Sequence, residues 1–207
     1  MKYEALIQQF TMRPWIETQE VAMWFDEPLP QIQARLSRWV QKGKLIRLKK
    51  GKYVLPELYR KNTISPYAIS NELVGPSYVS LETALEYYGM IPERVVSIQG
   101  ITPRQTNAWQ NEFGHFSYHH IKQERFFGYD KVQLSDDESF LCATPEKALI
   151  DLFYFGKGEW NKARIIEMRF QNTGKINVKT LQKLGMKMNS KKVSNAIQVF
   201  SKIRSEL

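Results

Sequence analysis

Between Gln31 and Lys61 lie ten basic residues (Arg35, Arg38, Lys42, Lys44, Arg47, Lys49, Lys50, Lys52, Arg60 and Lys61) against a single acidic one, Glu57. Guanidinium, ammonium and amide groups at this density have the chemistry of polyanion recognition. Arginine pairs with guanine or phosphate, glutamine with adenine, and lysine neutralises phosphate. An ordinary solvated face mixes both signs of charge, so a stretch this one-sided points to a nucleic acid.

The elements that must hold these groups follow from spacing. In PQIQARLSRWVQKGKLIRLKKGKYVL, which starts at Pro30, the apolar residues Ile32, Leu36, Trp39 and Val40 recur at helical intervals. The opposite face carries Gln31, Ala34, Arg35, Arg38, Gln41 and Lys42. Gly43 ends the helix, and Leu45, Ile46, Leu48, Tyr53 and Val54 mark two short strands around Lys49-Lys50-Gly51. A helix with a cationic outer face followed by a basic hairpin is the pattern of a recognition helix and wing in a winged helix-turn-helix. The expected DNA-binding set is Gln31, Arg35, Arg38, Gln41 and Lys42 in the major groove. Arg47, Lys49, Lys50 and Lys52 are expected on phosphates or in the minor groove.

Upstream, Tyr3, Leu6, Ile7 and Phe10 predict a first helix. Thr18 is the expected N-cap of a second, with Val21, Trp24 and Phe25 as its apolar stripe. Asp26-Glu27-Pro28 supplies the turn before the third helix, where Pro30 suits the first helical position. Residues 1–58 therefore read as the DNA-binding domain, 59–66 as a linker, and 67–207 as a second, mixed α/β domain. Within that domain helices are expected at 67–73 and 81–89, strands at 95–99, 113–122, 132–134 and 140–143, and a core helix opening at Thr144-Pro145-Glu146. Three helical stretches, 160–170, 178–184 and 191–207, form a basic C-terminal tail. The polar side of the last one, with Lys191, Lys192, Gln198 and Lys202, is the candidate partner-binding patch. The fold class is α+β.

Charge is distributed to match. Residues 1–61 hold 12 basic and 6 acidic groups, residues 62–156 hold 6 and 12, and residues 157–207 hold 12 and 3. Polyanion contact belongs to the two ends, and the acidic middle is not itself a nucleic-acid surface.

Catalytic chemistry is sparse by comparison. His115, His119 and His120 cluster, but on a strand only His115 and His119 share a face, and two histidines without a cysteine or placed carboxylate fall short of a catalytic zinc set. The acids of Asp136-Asp137-Glu138 diverge in a turn rather than converge on a cation. No lysine has an acid two positions before it, a spacing many metal-dependent nucleases use. The motifs GxxxxGK[ST], GxGxxG and GxSxG are absent. The chain reads as a binding protein rather than an enzyme, with no catalytic residue, metal or cofactor expected. One cysteine, Cys142, excludes an intrachain disulfide and reads as a buried small hydrophobe. With neither a targeting segment nor a membrane span in the sequence, the expected location is the cytoplasm and no membrane partner is expected.

Three stretches together resemble the AbiEi-type antitoxins of type IV toxin-antitoxin (abortive-infection) systems. They are GKLIRLKKGKYV from Gly43, PSYVSLETAL from Pro76 and ATPEKALIDL from Ala143, and the resemblance covers residues 1 to about 155. It implies an N-terminal winged helix that binds operator DNA, usually inverted repeats upstream of its own operon, and represses it. It also implies a C-terminal domain that counteracts a nucleotidyltransferase-type toxin. Both later stretches look like structural helices of that domain. Two other readings stay open at this point: a plain regulator with a ligand-sensing C-terminal domain, and a nuclease or nucleotide-processing enzyme steered by a DNA-binding module.

Overall fold

A computed structural model describes residues 1–135 and 138–206, and it is mixed α+β. The chain divides into two compact units, Met1–Ser65 and Pro66–Leu207.

The first unit runs α1 (Tyr3–Phe10), β1 (Ile16–Glu17), α2 (Thr18–Phe25), α3 (Leu29–Gln41), β2 (Ile46–Lys49) and β3 (Lys52–Val54). Its core gathers Leu6, Phe10, Ile16, Val21, Ile32, Leu36, Leu45, Tyr53 and Leu55. Each fully buried aliphatic or aromatic side chain contributes about 1.5–3 kcal/mol, so the single apolar stripe of each short helix suffices to fix it. α3 carries Pro30 in its first turn, one position later than expected because Leu29 is already helical. Gly43 follows α3 with φ +66, a conformation costly for any residue with a Cβ.

The hairpin forms as expected, with β2 and β3 antiparallel and Gly51 at φ +82 in its turn. It gains a third strand that hydrophobic patterning does not announce. β1 pairs antiparallel with β3, Ile16 opposite Tyr53 and Glu17 opposite Lys52, giving the order β1-β3-β2.

Three local expectations need correction. Thr18 is the first residue of α2 rather than its N-cap, and both its amide and its hydroxyl donate to the Gly51 carbonyl, at 3.0 and 3.1 Å. This ties the start of α2 to the hairpin turn. Trp24 is 60% exposed and adjacent Met23 84%, so neither belongs to the apolar stripe. The segment expected as a linker is partly fixed to this unit. A 3-10 turn at Glu57–Tyr59 is followed by donation from the Lys61 amide to Thr11 O (3.2 Å) and from Asn62 Nδ2 to Met12 O (3.2 Å).

The second unit is built on a six-stranded mixed sheet in the order β6-β7-β5-β4-β9-β8. The strands are β4 (Tyr78–Val79), β5 (Ser97–Thr102), β6 (Asn107–Asn111), β7 (Gly114–His120), β8 (Tyr129–Ser135) and β9 (Glu138–Ala143). β4 and β6 lack the alternation that would have marked them. The helices are α4 (Pro66–Leu73), α5 (Leu81–Tyr87), α6 (Pro145–Phe155), α7 (Lys162–Glu167), α8 (Val178–Met188) and α9 (Lys191–Ile203). α6 is capped by Thr144, whose side chain accepts from the Lys147 amide at 3.3 Å, and packs against α5, α8 and α9. The basic tail is thus no appendage. Trp160, Ile165, Phe170, Leu181, Val193, Ile197 and Phe200 join α6 and the sheet in one core, and the tail's lysines other than half-buried Lys192 are left outside. Cys142 lies in that core, where burial pushes its thiol up to about 12. Asp136 and Asp137 of the acidic run lie outside the described residues.

Candidate nucleic-acid interface

The exposed side of α3 and the basic hairpin border one groove of about 480 Å³. Leu29, Gln33 and Ser37 line it from α3, Thr18 and Gln19 from α2, and Arg47, Lys49, Lys50 and Lys52 from the hairpin. The location of this groove shows which part of the α3 surface faces the hairpin. Counting about 100° per residue, Gln33 and Ser37 flank the hairpin, with Ala34, Gln41 and Arg38 next around the helix. Gln31 and Lys42 are exposed farther round, on the side away from the groove.

Arg35 sits beyond them and is not available. One of its guanidinium nitrogens donates to Met1 O at 2.9 Å and to Glu27 at 3.0 Å. Glu27 also accepts from the Met1 ammonium, and these two cations, the ammonium first, hold its carboxyl below the usual carboxylate range. Arg35 therefore braces α3 against the chain start and the α2–α3 turn. Lys52 is similarly occupied. Its ammonium is 2.8 Å from Glu17 and 5.3 Å from the centroid of the Trp15 ring, which pins β3 to β1 at the groove floor.

The remaining expected cations have other settings. Arg38, Lys42, Arg47 and Lys50 are exposed, and no ion pair among the described residues holds them. Lys49 is half-buried in the groove wall. Gln33, Ser37, Thr18 and Gln19 line the groove without being in the set expected from sequence. The available signal was the helical wheel itself, since the direction opposite the mean of Ile32, Leu36, Trp39 and Val40 passes close to Ala34 and Gln41 rather than Arg35.

In the second unit, Lys191, Lys192 and Gln198 line a cleft of about 540 Å³ with Asn161, Asn195 and Trp160, whereas Lys202 is exposed elsewhere on α9. Lys192 is committed to the fold. It donates to the carbonyls of Tyr154 (3.2 Å) and Gly156, and burial, then Arg164, lowers its pKa. α8 carries a feature that sequence reading passed over, a ladder of exposed lysines at 179, 183 and 187.

The three histidines lie along β7. His119 is half-buried against Phe155, with ring centroids 5.2 Å apart, and His120 Nδ1 donates to Arg104 O at 2.8 Å. Among the described residues no three His, Cys, Asp or Glu side chains gather as a cation site.

The second and third stretches of the sequence resemblance meet inside the fold. Tyr78 and Ser80 come from one, Lys147 and Asp151 from the other, and all four are buried. The Ser80 and Tyr78 hydroxyls donate to one Asp151 oxygen, at 2.8 and 3.1 Å, and Lys147 Nζ donates to the other. Buried throughout, this cluster joins β4 and the start of α5 to α6.

No protein-family model and no curated protein matches the chain. Among the described residues no helix is long and apolar enough to cross a membrane.

Proposed function

We propose that residues 1–65 are a winged helix that binds duplex DNA, with α3 as the recognition helix and the β2–β3 hairpin as the wing. The observation that carries this reading is the groove itself, with uncharged polar side chains of α3 on one wall and the cations of the hairpin on the other. An α-helix fits the major groove, and a neighbouring basic hairpin then lies over the phosphates. Arg47 and Lys50 neutralise phosphates and set orientation, while α3 reads base edges. The Thr18 bonds to Gly51 tie the hairpin to α2, and α2 packs on α3, so α3 and the hairpin are presented together.

The three stretches of sequence resemblance support a further step. On this reading the chain is a cytoplasmic antitoxin of a type IV toxin-antitoxin system. It represses its own operon at inverted repeats and counteracts a nucleotidyltransferase-type toxin through residues 66–207.

Two measurements test the proposal. In binding assays on duplex DNA, Arg38→Ala lowers discrimination between specific and random sequence by ~1–3 kcal/mol, whereas Lys50→Ala weakens both alike and flattens the salt dependence. Equal losses from both variants on both DNAs refute that division of labour. For the antitoxin step, the neighbouring reading frame is induced in bacteria with the wild-type chain or the Arg38→Ala/Lys50→Ala double variant, at matched toxin levels. Rescue by both supports neutralisation outside the winged helix. A toxic neighbour that neither rescues removes the antitoxin reading and leaves a regulator.

A further inference from the structure

We propose that the base sequence read by α3 is rich in A·T pairs, with no more than one G·C pair per half-site, and that Gln33 is the main discriminating residue. This rests on the DNA-binding reading above and extends it to the class of sequence bound.

Recognition helices contact base edges chiefly from their N-terminal turns. The exposed residues there that border or adjoin the groove are Leu29, Pro30, Gln33, Ala34 and Ser37. None is charged. The side chains that read guanine through its O6 and N7 are arginine and lysine. Arg35, the only cation in this half of α3, is held by Glu27 and the Met1 carbonyl and lies on the flank away from the hairpin. Arg38 is the first cation with an exposed side chain, a full turn after Ala34, and its Nε donates only a long bond to Ala34 O (3.4 Å). Lys42 follows at the C-cap, outside the reading half.

The groups that remain have a matching specificity. The Gln33 amide can donate to N7 and accept from N6 of adenine in one bidentate contact, the Ala34 methyl suits the thymine methyl, and the Ser37 hydroxyl accepts either base. Gln41, one turn beyond Ser37 on the same arc, offers a second amide.

The test is selection of binding sites from a random duplex library by the full-length chain, repeated with Gln33→Ala and Gln33→Arg. Gln33 is exposed and outside the core, so both variants are expected to fold, which circular dichroism verifies. The expected wild-type consensus is A·T-rich. Gln33→Ala loses preference at one A·T pair, by about 5- to 150-fold against the wrong base. Gln33→Arg moves that position from A·T to G·C. A reproducible consensus with two or more G·C pairs in a half-site, or one that neither variant alters, overturns this inference and leaves DNA binding intact. Salt-dependent binding with no sequence enriched also overturns it. Absence of any DNA binding overturns the DNA-binding reading itself, and the inference with it.

Discussion

Lys147 and Asp151 form an ion pair one helical turn apart on α6, with neither side chain exposed. Taking two charges out of water costs several kcal/mol per ion, and the pair persists because every strong group in it is partnered. Asp151 accepts from Lys147, Ser80 and Tyr78, while the ammonium also lies 4.8 Å from the Phe127 ring centroid. Gly128, at φ +76, leaves room for the Lys147 stem, since a Cβ there would come within 3.1 Å of it.

Removing one partner is therefore far worse than removing both. Asp151→Leu is expected to cost about 3–5 kcal/mol, because it strands a buried ammonium and two hydroxyls. The double variant Lys147→Met/Asp151→Leu recovers part of that loss, leaving only the Tyr78 and Ser80 hydroxyls without their acceptor. A double-mutant cycle by chemical denaturation measures the coupling. Additive losses would mean that the pair does not act as a unit.

Arg35 is the second case where a partner decides the role. Its bonds to Glu27 and Met1 O assign it to stability. Arg35→Ala is expected to lower the denaturation midpoint while leaving the ratio of affinities for specific and random DNA unchanged, with affinity measured well below the unfolding transition. A variant that keeps its stability but loses discrimination would return Arg35 to the reading face.

These two residues also show what a sequence can and cannot disclose. The α3 stripe of Ile32 and Leu36, the stop at Gly43 and the hairpin around Gly51 are local events, governed by periodicity and φ, and all were legible. Thr144 and Pro145 announced α6 for the same reason. The pairing of Arg35 was not legible because its carboxylate, Glu27, lies outside the helix, and a helical wheel contains no information about partners in other elements. β1, two residues long, and β6, the largely polar Asn107–Asn111, have too little alternation to stand out and exist through pairing with β3 and β7. The burial of Lys147 and Asp151 runs against their polarity, and it follows from partners on other elements, Ser80, Tyr78 and Phe127, together with the packing of α6 against three helices.

His119 gives a pH dependence with a definite sign. Burial lowers its pKa, opposed by Glu82 and Asp151, so the unfolded chain binds a proton at higher pH than the folded one does. Stability therefore falls as pH drops below about 6.5, the ordinary histidine value, and continues to fall until the folded-state pKa is passed. His119→Gln is expected to reduce this slope between pH 7 and 5 in thermal or urea unfolding. Identical slopes for variant and wild type would mean that the ring beside Phe155 is as easily protonated as one in water.

The α8 ladder makes the opposite kind of prediction, a gain in stability. Lys179, Lys183 and Lys187 are exposed at intervals of four residues, and from 168 to 205 the sequence has nine basic residues and no acidic one. Like charges at this spacing oppose helix formation by about 0.2–0.5 kcal/mol per pair, and opposite charges favour it by as much. Lys183→Glu replaces two repulsive pairs with two attractive ones, and glutamate four residues before Lys187 has the more favourable orientation. The variant is expected to unfold at higher denaturant concentration in low salt. The difference should shrink in 1 M salt, where the Debye length falls to about 3 Å. No stabilisation at low salt would show that the ladder is already screened, and its lysines would then impose no cost on the fold.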